Sequence, residues 1–258
     1  MKLIFNIILL AIVQGITEFL PISSSGHLVI LKSLFGFKSP GVGLEVSLHF
    51  GTLIAIVIFY WSDIKEITSS FFRTDLPTRH KSRRTALYVI IATIPIAIIG
   101  ILFNGRIISL FTNSFITGVF LLITGLILLS TKLIKPQKQP ITVVKSIIIG
   151  ISQALAILPG ISRSGSTISV GKFVGIAPSE AAKFSFLMAI PAITGAIIYE
   201  IISNMADFNP LYFIGIGVSA VIGYFSLKIL INLVNSEKLW IFGPYCLLIG
   251  LISIVFLR

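Results

Sequence analysis

Apolar residues run along this chain in stretches close to 20 long, and its polar residues gather at a few sharp interruptions. Runs at about 44–61, 85–103 and 113–131 are followed by runs at about 184–203, 211–231 and 239–257. Each has the length a helix needs to cross the hydrocarbon of a bilayer. Two other segments carry shorter apolar arms around a polar break. The arms 3–20 and 28–36 flank Pro21 and Ser23–Gly26, and the arms 146–158 and 167–176 flank Pro159–Gly165. Neither arm of the first pair needs to cross alone, so each break is expected at the tip of a re-entrant hairpin. Irregular backbone at that depth is tolerated only where protein buries it or where it lines a wet cavity. The pattern predicts an all-α polytopic membrane protein, one integral membrane domain over 1–258, with six crossings and two re-entrant hairpins.

The two breaks are similar to each other. QGITEFLPISSSGHL (14–28) lies over QALAILPGISRSGST (153–167) at a constant shift of 139. Gln14 then pairs with Gln153, Ile22 with Ile161, Ser23 with Ser162, Ser25 with Ser164 and Gly26 with Gly165. Ser24 falls opposite Arg163. The match is short, but three long apolar runs follow each copy, which divides the chain into repeats of about 1–131 and 146–258. With the N-terminus outside, inward-facing loops hold 14 Lys and Arg and outward-facing ones 5, Arg163 excepted. This bias obeys the positive-inside rule. Three crossings separate the hairpins, so the first enters from outside and the second from inside. Such an inverted-topology repeat places its ligand site where the two repeats meet near the midplane.

Composition agrees. The chain is 55% hydrophobic and 11% charged, whereas a soluble domain carries about 25% charged residues. A net charge of +11 would also suit a nucleic-acid partner, but charges that orient loops across a membrane account for it. The single Cys246 excludes an internal disulfide. The opening MKLIFNIILLAIV imitates a signal peptide, yet no small-residue cleavage site follows, so it is expected to be retained.

What the breaks contain is costly in lipid. Gln14 and Glu18 are four apart and share a helix face. Pro21 ends that arm, and Ser23–Ser25 can cap the next helix, whose first turn contains His27. Free N–H groups and a positive dipole end make such a turn an anion site. In the second break Pro159 and Gly160 interrupt the arm, Ser162 and Ser164 offer caps, and Arg163 adds a permanent cation. If the tips meet, Glu18, Ser24, His27 and Arg163 share one polar pocket. Two helix N-termini and an arginine fork suit a phosphate, held by Ser23, Ser25, Gly26, Ser162, Ser164 and Gly165. Plainer roles exist for each: the serines as caps, Gln14 as a hydrogen bond across helices, Glu18 in a structural ion pair. Glu45 and His49, four apart at the start of the next run, either line the same pocket or are a solvated rim and a core residue. His80 lies in a basic loop and reads as solvated. Gly215, Ser219 and Gly223 form a small-residue face for helix packing or for a dimer.

GITEFLPISSSGHL and LPGISRSGSTIS closely resemble the two signature motifs of the undecaprenyl-diphosphate phosphatase family, also called bacitracin-resistance proteins. LEVSLHFGTLIAIV and EAAKFSFLMAIP are similar to that family too, so the resemblance covers nearly the whole chain. It implies an integral enzyme of the plasma membrane that removes the terminal phosphate of a C55 polyprenyl diphosphate, recycling the carrier for cell-wall glycans. It implies active-site roles for Glu18, Ser24, His27 and Arg163, and a divalent cation, Mg2+ or Ca2+, with Glu18 as its candidate ligand. One departure stands out. Many members have a second carboxylate where this chain has Gln14, and an amide cannot act as a base and is a poorer magnesium ligand than a carboxylate. Glu18 must then act alone, or Glu45 assists.

The residues leave two classes of function. In a phosphatase, water or Ser24 attacks the terminal phosphorus while Arg163, backbone amides and a metal hold the charge. A transporter or flippase of polyprenyl phosphates would share the inverted repeats and the anion pocket. A carrier needs no nucleophile, so Glu18, Ser24 and His27 together favour the enzyme. Lipid phosphatases of the acid-phosphatase type are excluded, because their K-x6-R-P and S-R-x5-H-x3-D signatures are missing.

Overall fold

The structure, a computed structural model, describes residues 2–35, 42–73, 77–135, 137–204 and 209–257. Among them the regular structure is helical throughout. The first apolar arm is α1 (Lys2–Phe19) and the second α2 (Ser24–Phe35). Leu20 N–H still reaches the Ile16 carbonyl at 3.1 Å, but Pro21 has no N–H with which to continue. Next come α3 (Val42–Phe59), α4 (Trp61–Phe72), α5 (Arg79–Leu110) and α6 (Ser114–Ser130). The arms of the second break are α7 (Val143–Leu155) and α8 (Arg163–Phe173), followed by α9 (Pro178–Asn204), α10 (Tyr212–Asn235) and α11 (Phe242–Phe256).

Six of the described helices, α1, α5, α6, α9, α10 and α11, are long and apolar enough to cross a membrane. A seventh span arises if α3 and α4 are joined across their 74° bend. The chain is therefore a multi-pass membrane protein. Two details depart from the sequence pattern. By length and composition α1 counts among the possible spans, although its 18 residues reach about 27 Å, a little less than a ~30 Å hydrocarbon core. The sequence pattern leaves 62–84, between the runs at 44–61 and 85–103, as a polar, basic connector, but α4 occupies its first half. Ile64 and Ile67 pack on the core while Trp61, Phe71 and Phe72 stay exposed. Their helical spacing is hidden among charged neighbours.

Lipid tails are as apolar as leucine, so helices in a bilayer associate through close packing, and small residues permit it. Both α1 and α3 lie along α10, α5 along α7, and α6 along α11. A Cβ on Gly51 would fall 2.0 Å from Ser219 Oγ, and that hydroxyl donates to the Leu48 carbonyl at 3.1 Å. The Gly215–Ser219–Gly223 face of α10 is thus buried against α1 and α3, not free for a second copy. Likewise, a Cβ on Gly150 would meet the Ala92 carbonyl at 2.4 Å, so α5 and α7 touch backbone to backbone. Phe19, Ile22, Ile168 and Phe186 belong to one buried cluster beside the two breaks. Lys172, near the end of α8, is buried and donates to the Thr131 carbonyl at 2.9 Å.

Candidate active site

The breaks between α1 and α2 and between α7 and α8 meet, and glycine is what lets them. A Cβ on Gly26 would stand 3.1 Å from Gly160 Cα, and one on Gly165 would stand 3.2 Å from Pro21 Cβ. Ser23 Oγ accepts from Gly26 N–H at 3.2 Å, and Ser162 Oγ accepts from Gly165 N–H at 3.1 Å. These are capping bonds, so the amides of Gly26 and Gly165 are engaged within their own turns. Ser25 and Ser164 lie 3.3 and 3.4 Å from those capping hydroxyls. Ser23 has φ +69°, a conformation a serine rarely holds without a structural reason. Its hydroxyl also accepts from Gly160 N–H at 3.2 Å, which ties one break to the other. Thr124 of α6 clamps the second break, donating to the Gly160 carbonyl at 2.8 Å and accepting from Ser162 N–H at 3.1 Å.

Over this junction sit the charged groups. Glu18 is 8% exposed. Arg163 donates through Nη2 to its Oε1 at 2.6 Å, and Ser24 Oγ donates to its Oε2 at 2.6 Å. Gln14 Nε2 donates to the same Oε2 at 3.2 Å and lies 3.0 Å from His49 Nδ1. His49 Nδ1 is itself 3.8 Å from Glu18. Arg163 lies over the ring of Phe186, 5.9 Å from its centroid. Arg163 thus holds Glu18 by one side of its fork only. Its Nη1 is buried without a partner, and so is the carbonyl oxygen of Gln14. Unpartnered buried polar groups are costly and call for an explanation. Here a donor on a cation and a neutral acceptor stand beside one carboxylate.

His27 makes no contact with Glu18. Its Nδ1 donates to the Ser23 carbonyl at 2.8 Å, which leaves Nε2 as the acceptor in a neutral ring, 2.8 Å from the Tyr245 hydroxyl. The two rings are parallel within 2°, centroids 5.7 Å apart. Among the described residues the imidazole beside Glu18 is that of His49. Glu45, one turn before it on α3, is partly exposed. Sequence reasoning did not single out Tyr245, Thr124 or Phe186. They lie in ordinary apolar runs, and only the fold brings them to the breaks.

Among the described residues no three His, Cys, Asp or Glu side chains are grouped to hold a metal. The oxygens on offer are the Glu18 carboxylate and the unpartnered Gln14 carbonyl. Such a small all-oxygen set fits a hard divalent cation that keeps its waters and takes further ligands from a phosphate.

A many-spanning helical protein with a carboxylate, a serine and an arginine in contact where two helix breaks meet is a membrane protein with a buried charged site. Which one follows from comparison. The chain belongs to the bacitracin resistance protein BacA family, which it matches over residues 7–252. A protein of Methanococcus vannielii called undecaprenyl-diphosphatase is 42% identical over 253 residues, covering 97% of this chain and 99% of its own. Proteins of the same name from Desulfatibacillum aliphaticivorans and Geotalea daltonii are 39% and 38% identical, covering 95% and 99% of this chain and 95% and 98% of their own.

Proposed function

We propose that this protein hydrolyses undecaprenyl diphosphate to the monophosphate and inorganic phosphate, recycling the lipid carrier of cell-wall glycan synthesis. Family membership and three like-named relatives support the substrate. The observation that carries the chemistry is local: Ser24 donates to Glu18 at 2.6 Å while Arg163 Nη1 is buried and unpartnered next to both. Ser24 is the oxygen whose proton already has an acceptor, the arrangement of an activated nucleophile. As Ser24 Oγ bonds to the terminal phosphorus, its proton passes to Glu18 and the prenyl monophosphate leaves. Water then releases the phosphoryl group, with Glu18 returning its proton to Ser24. Arg163 Nη1 meets the equatorial oxygens, where charge develops. Amides of the first turns of α2 and α8, at Ser24, Ser25, Arg163 and Ser164, precede the first i→i−4 bonds and are assigned to the phosphate oxygens. His27, whose Nδ1 is held by the Ser23 carbonyl, is assigned the proton of the attacking water through Nε2, the water taking the place of the Tyr245 hydroxyl.

Glu18 and Gln14 would hold the divalent cation. When bound, such an ion neutralises charge on the phosphate oxygens. A flippase would need the anion pocket but not the Ser24–Glu18 contact, so the hydrolase is favoured.

We read the architecture as an inverted repeat with re-entrant hairpins, lying in the plasma membrane with its site open to the outer face. Reciprocity supports it: Gly26 packs on Gly160 as Gly165 packs on Pro21, pairs related by the 139-residue shift. Helix α1 lies along α10 as α7 lies along α5. The deciding measurement is phosphate release from C55 diphosphate by purified protein and by Arg163→Lys, each with and without a chelator. The unaltered protein should be active and lose that activity with chelator. The lysine variant keeps the charge but not the fork and should fall at least ~10²-fold, the scale of losing one transition-state donor. Equal turnover by the two proteins would show that the second nitrogen is not needed.

A further inference from the structure

Beside the second break α5 and the α7 segment part. Helix α7 ends at Leu155 and the chain turns toward Pro159, whereas α5 continues to Leu110. Between them lies a cavity of about 220 Å³, walled by Ile99, Phe103 and Leu110 on one side and Leu155, Ile157 and Leu158 on the other. No polar side chain lines it. Gly100 marks the approach of α5 to the turn, since a Cβ there would stand 3.6 Å from Ile157 Cδ1. Leu158 is followed directly by Pro159 and by Gly160, which meets the first break, and then by Ser162 and Arg163. The apolar cavity therefore adjoins the turn that carries the unpartnered guanidinium nitrogen.

The geometry points to this cavity as the groove for the first isoprene units of a polyprenyl diphosphate, the tail segment next to the phosphates. This rests on the hydrolase reading above. A substrate anchored by its terminal phosphate at Arg163 must lead an apolar chain out of a polar pocket, and this groove is walled by the segment that runs into the second break. Transfer from lipid to groove brings no hydrophobic gain, because lipid tails are equally apolar. The benefit is contact with fixed walls, which holds the phosphorus in register with Ser24. An acyl chain of the bilayer is the competing occupant, and it has no tie to the charged site.

Two measurements separate them. A geranyl diphosphate carrying a benzophenone at its tail end should, on illumination, label residues within 99–110 or 154–158. Unlabelled farnesyl diphosphate should suppress that labelling, and a phospholipid should not. Labelling elsewhere, or suppression by phospholipid, overturns the assignment. The second uses Leu155→Trp, a 54% exposed position whose larger ring fills the groove. KM should rise about tenfold for C15 and C55 diphosphates, the lower end of what a displaced apolar contact costs in a pocket. Dimethylallyl diphosphate, too short to fill the groove, should be unaffected. No change for any substrate, or an equal loss for all three, overturns the groove. Specific labelling without phosphate release from any diphosphate supports the groove and sinks the hydrolase instead.

Discussion

Glu18 accepts from three side chains, Arg163, Ser24 and Gln14, and only the first is charged. That inequality orders the effects of substitution. Glu18→Gln removes the acceptor for the Ser24 proton and leaves the partly buried Arg163 without a counter-charge. Hydrolysis should fall at least ~10²-fold, the usual worth of a general base or metal role. Stability should fall too, by ~3–5 kcal/mol, so the folded fraction must be measured alongside the rate. Gln14→Ala deletes the contacts at 3.2 and 3.0 Å, worth about 1 kcal/mol each, and should be milder. Gln14→Glu sets a second carboxylate beside Glu18. Two such neighbours do not both ionise readily, so it should be tolerated with a stronger need for the cation. Phosphate-release rates across a magnesium series rank the three; activity kept by Glu18→Gln and lost by Gln14→Ala would make the amide the essential group. Glu18, Ser24 and Arg163 were legible as one polar group because a carboxylate and a cation placed together at membrane breaks are costly in lipid. The partner of each was not legible. Position alone pairs Glu18 with His27 as readily as with His49, and only the course of α3 decides for His49.

At the scale of elements the two breaks use the same cap, Ser23 and Ser162, yet reach it differently. In the first break a left-handed serine turns the chain, with φ +69°, and in the second a glycine does, with φ +103° at Gly160. A Cβ on Gly160 would stand 2.3 Å from the Thr117 carbonyl and 2.9 Å from Phe120 Cβ. Gly160→Ala therefore meets both a disfavoured backbone and backbone atoms that cannot swing aside. It should cost ~1–3 kcal/mol, read as a lower melting temperature in detergent. Gly217→Ala on α10, where nothing lies within 4 Å, is the control and should leave the melting temperature unchanged or raise it, alanine being the better helix former. Equal melting of the two variants would mean that the second break is loosely held. The breaks were readable because Pro21, Pro159 and Gly160 interrupt apolar runs on sight. Helix α4 was not, because Lys65, Glu66 and Asp63 mask a stripe that binds through Ile64 and Ile67.

Across the whole molecule the open choice is how far α1 travels. Its 18 residues span about 27 Å, close enough to a bilayer core to cross with slight thinning. If α1 crosses, the first break emerges on the inner face, and the 12 residues of α2 cannot bring the chain back. Ser33, exposed near the end of α2, would then lie inside. If α1 stops at the midplane against the second break, Ser33 lies outside. The division of 14 basic residues against 5 favours the latter, as does the contact of Gly26 with Gly160. Lys138, exposed between α6 and α7, should be inside. Single cysteines at these two positions, with the buried Cys246 replaced by alanine, can be probed with a membrane-impermeant maleimide. In intact cells the Ser33 site should label and the Lys138 site should not; after permeabilisation both should. Labelling of both positions in intact cells, or of neither, would put the two breaks on the same side and end the inverted repeat.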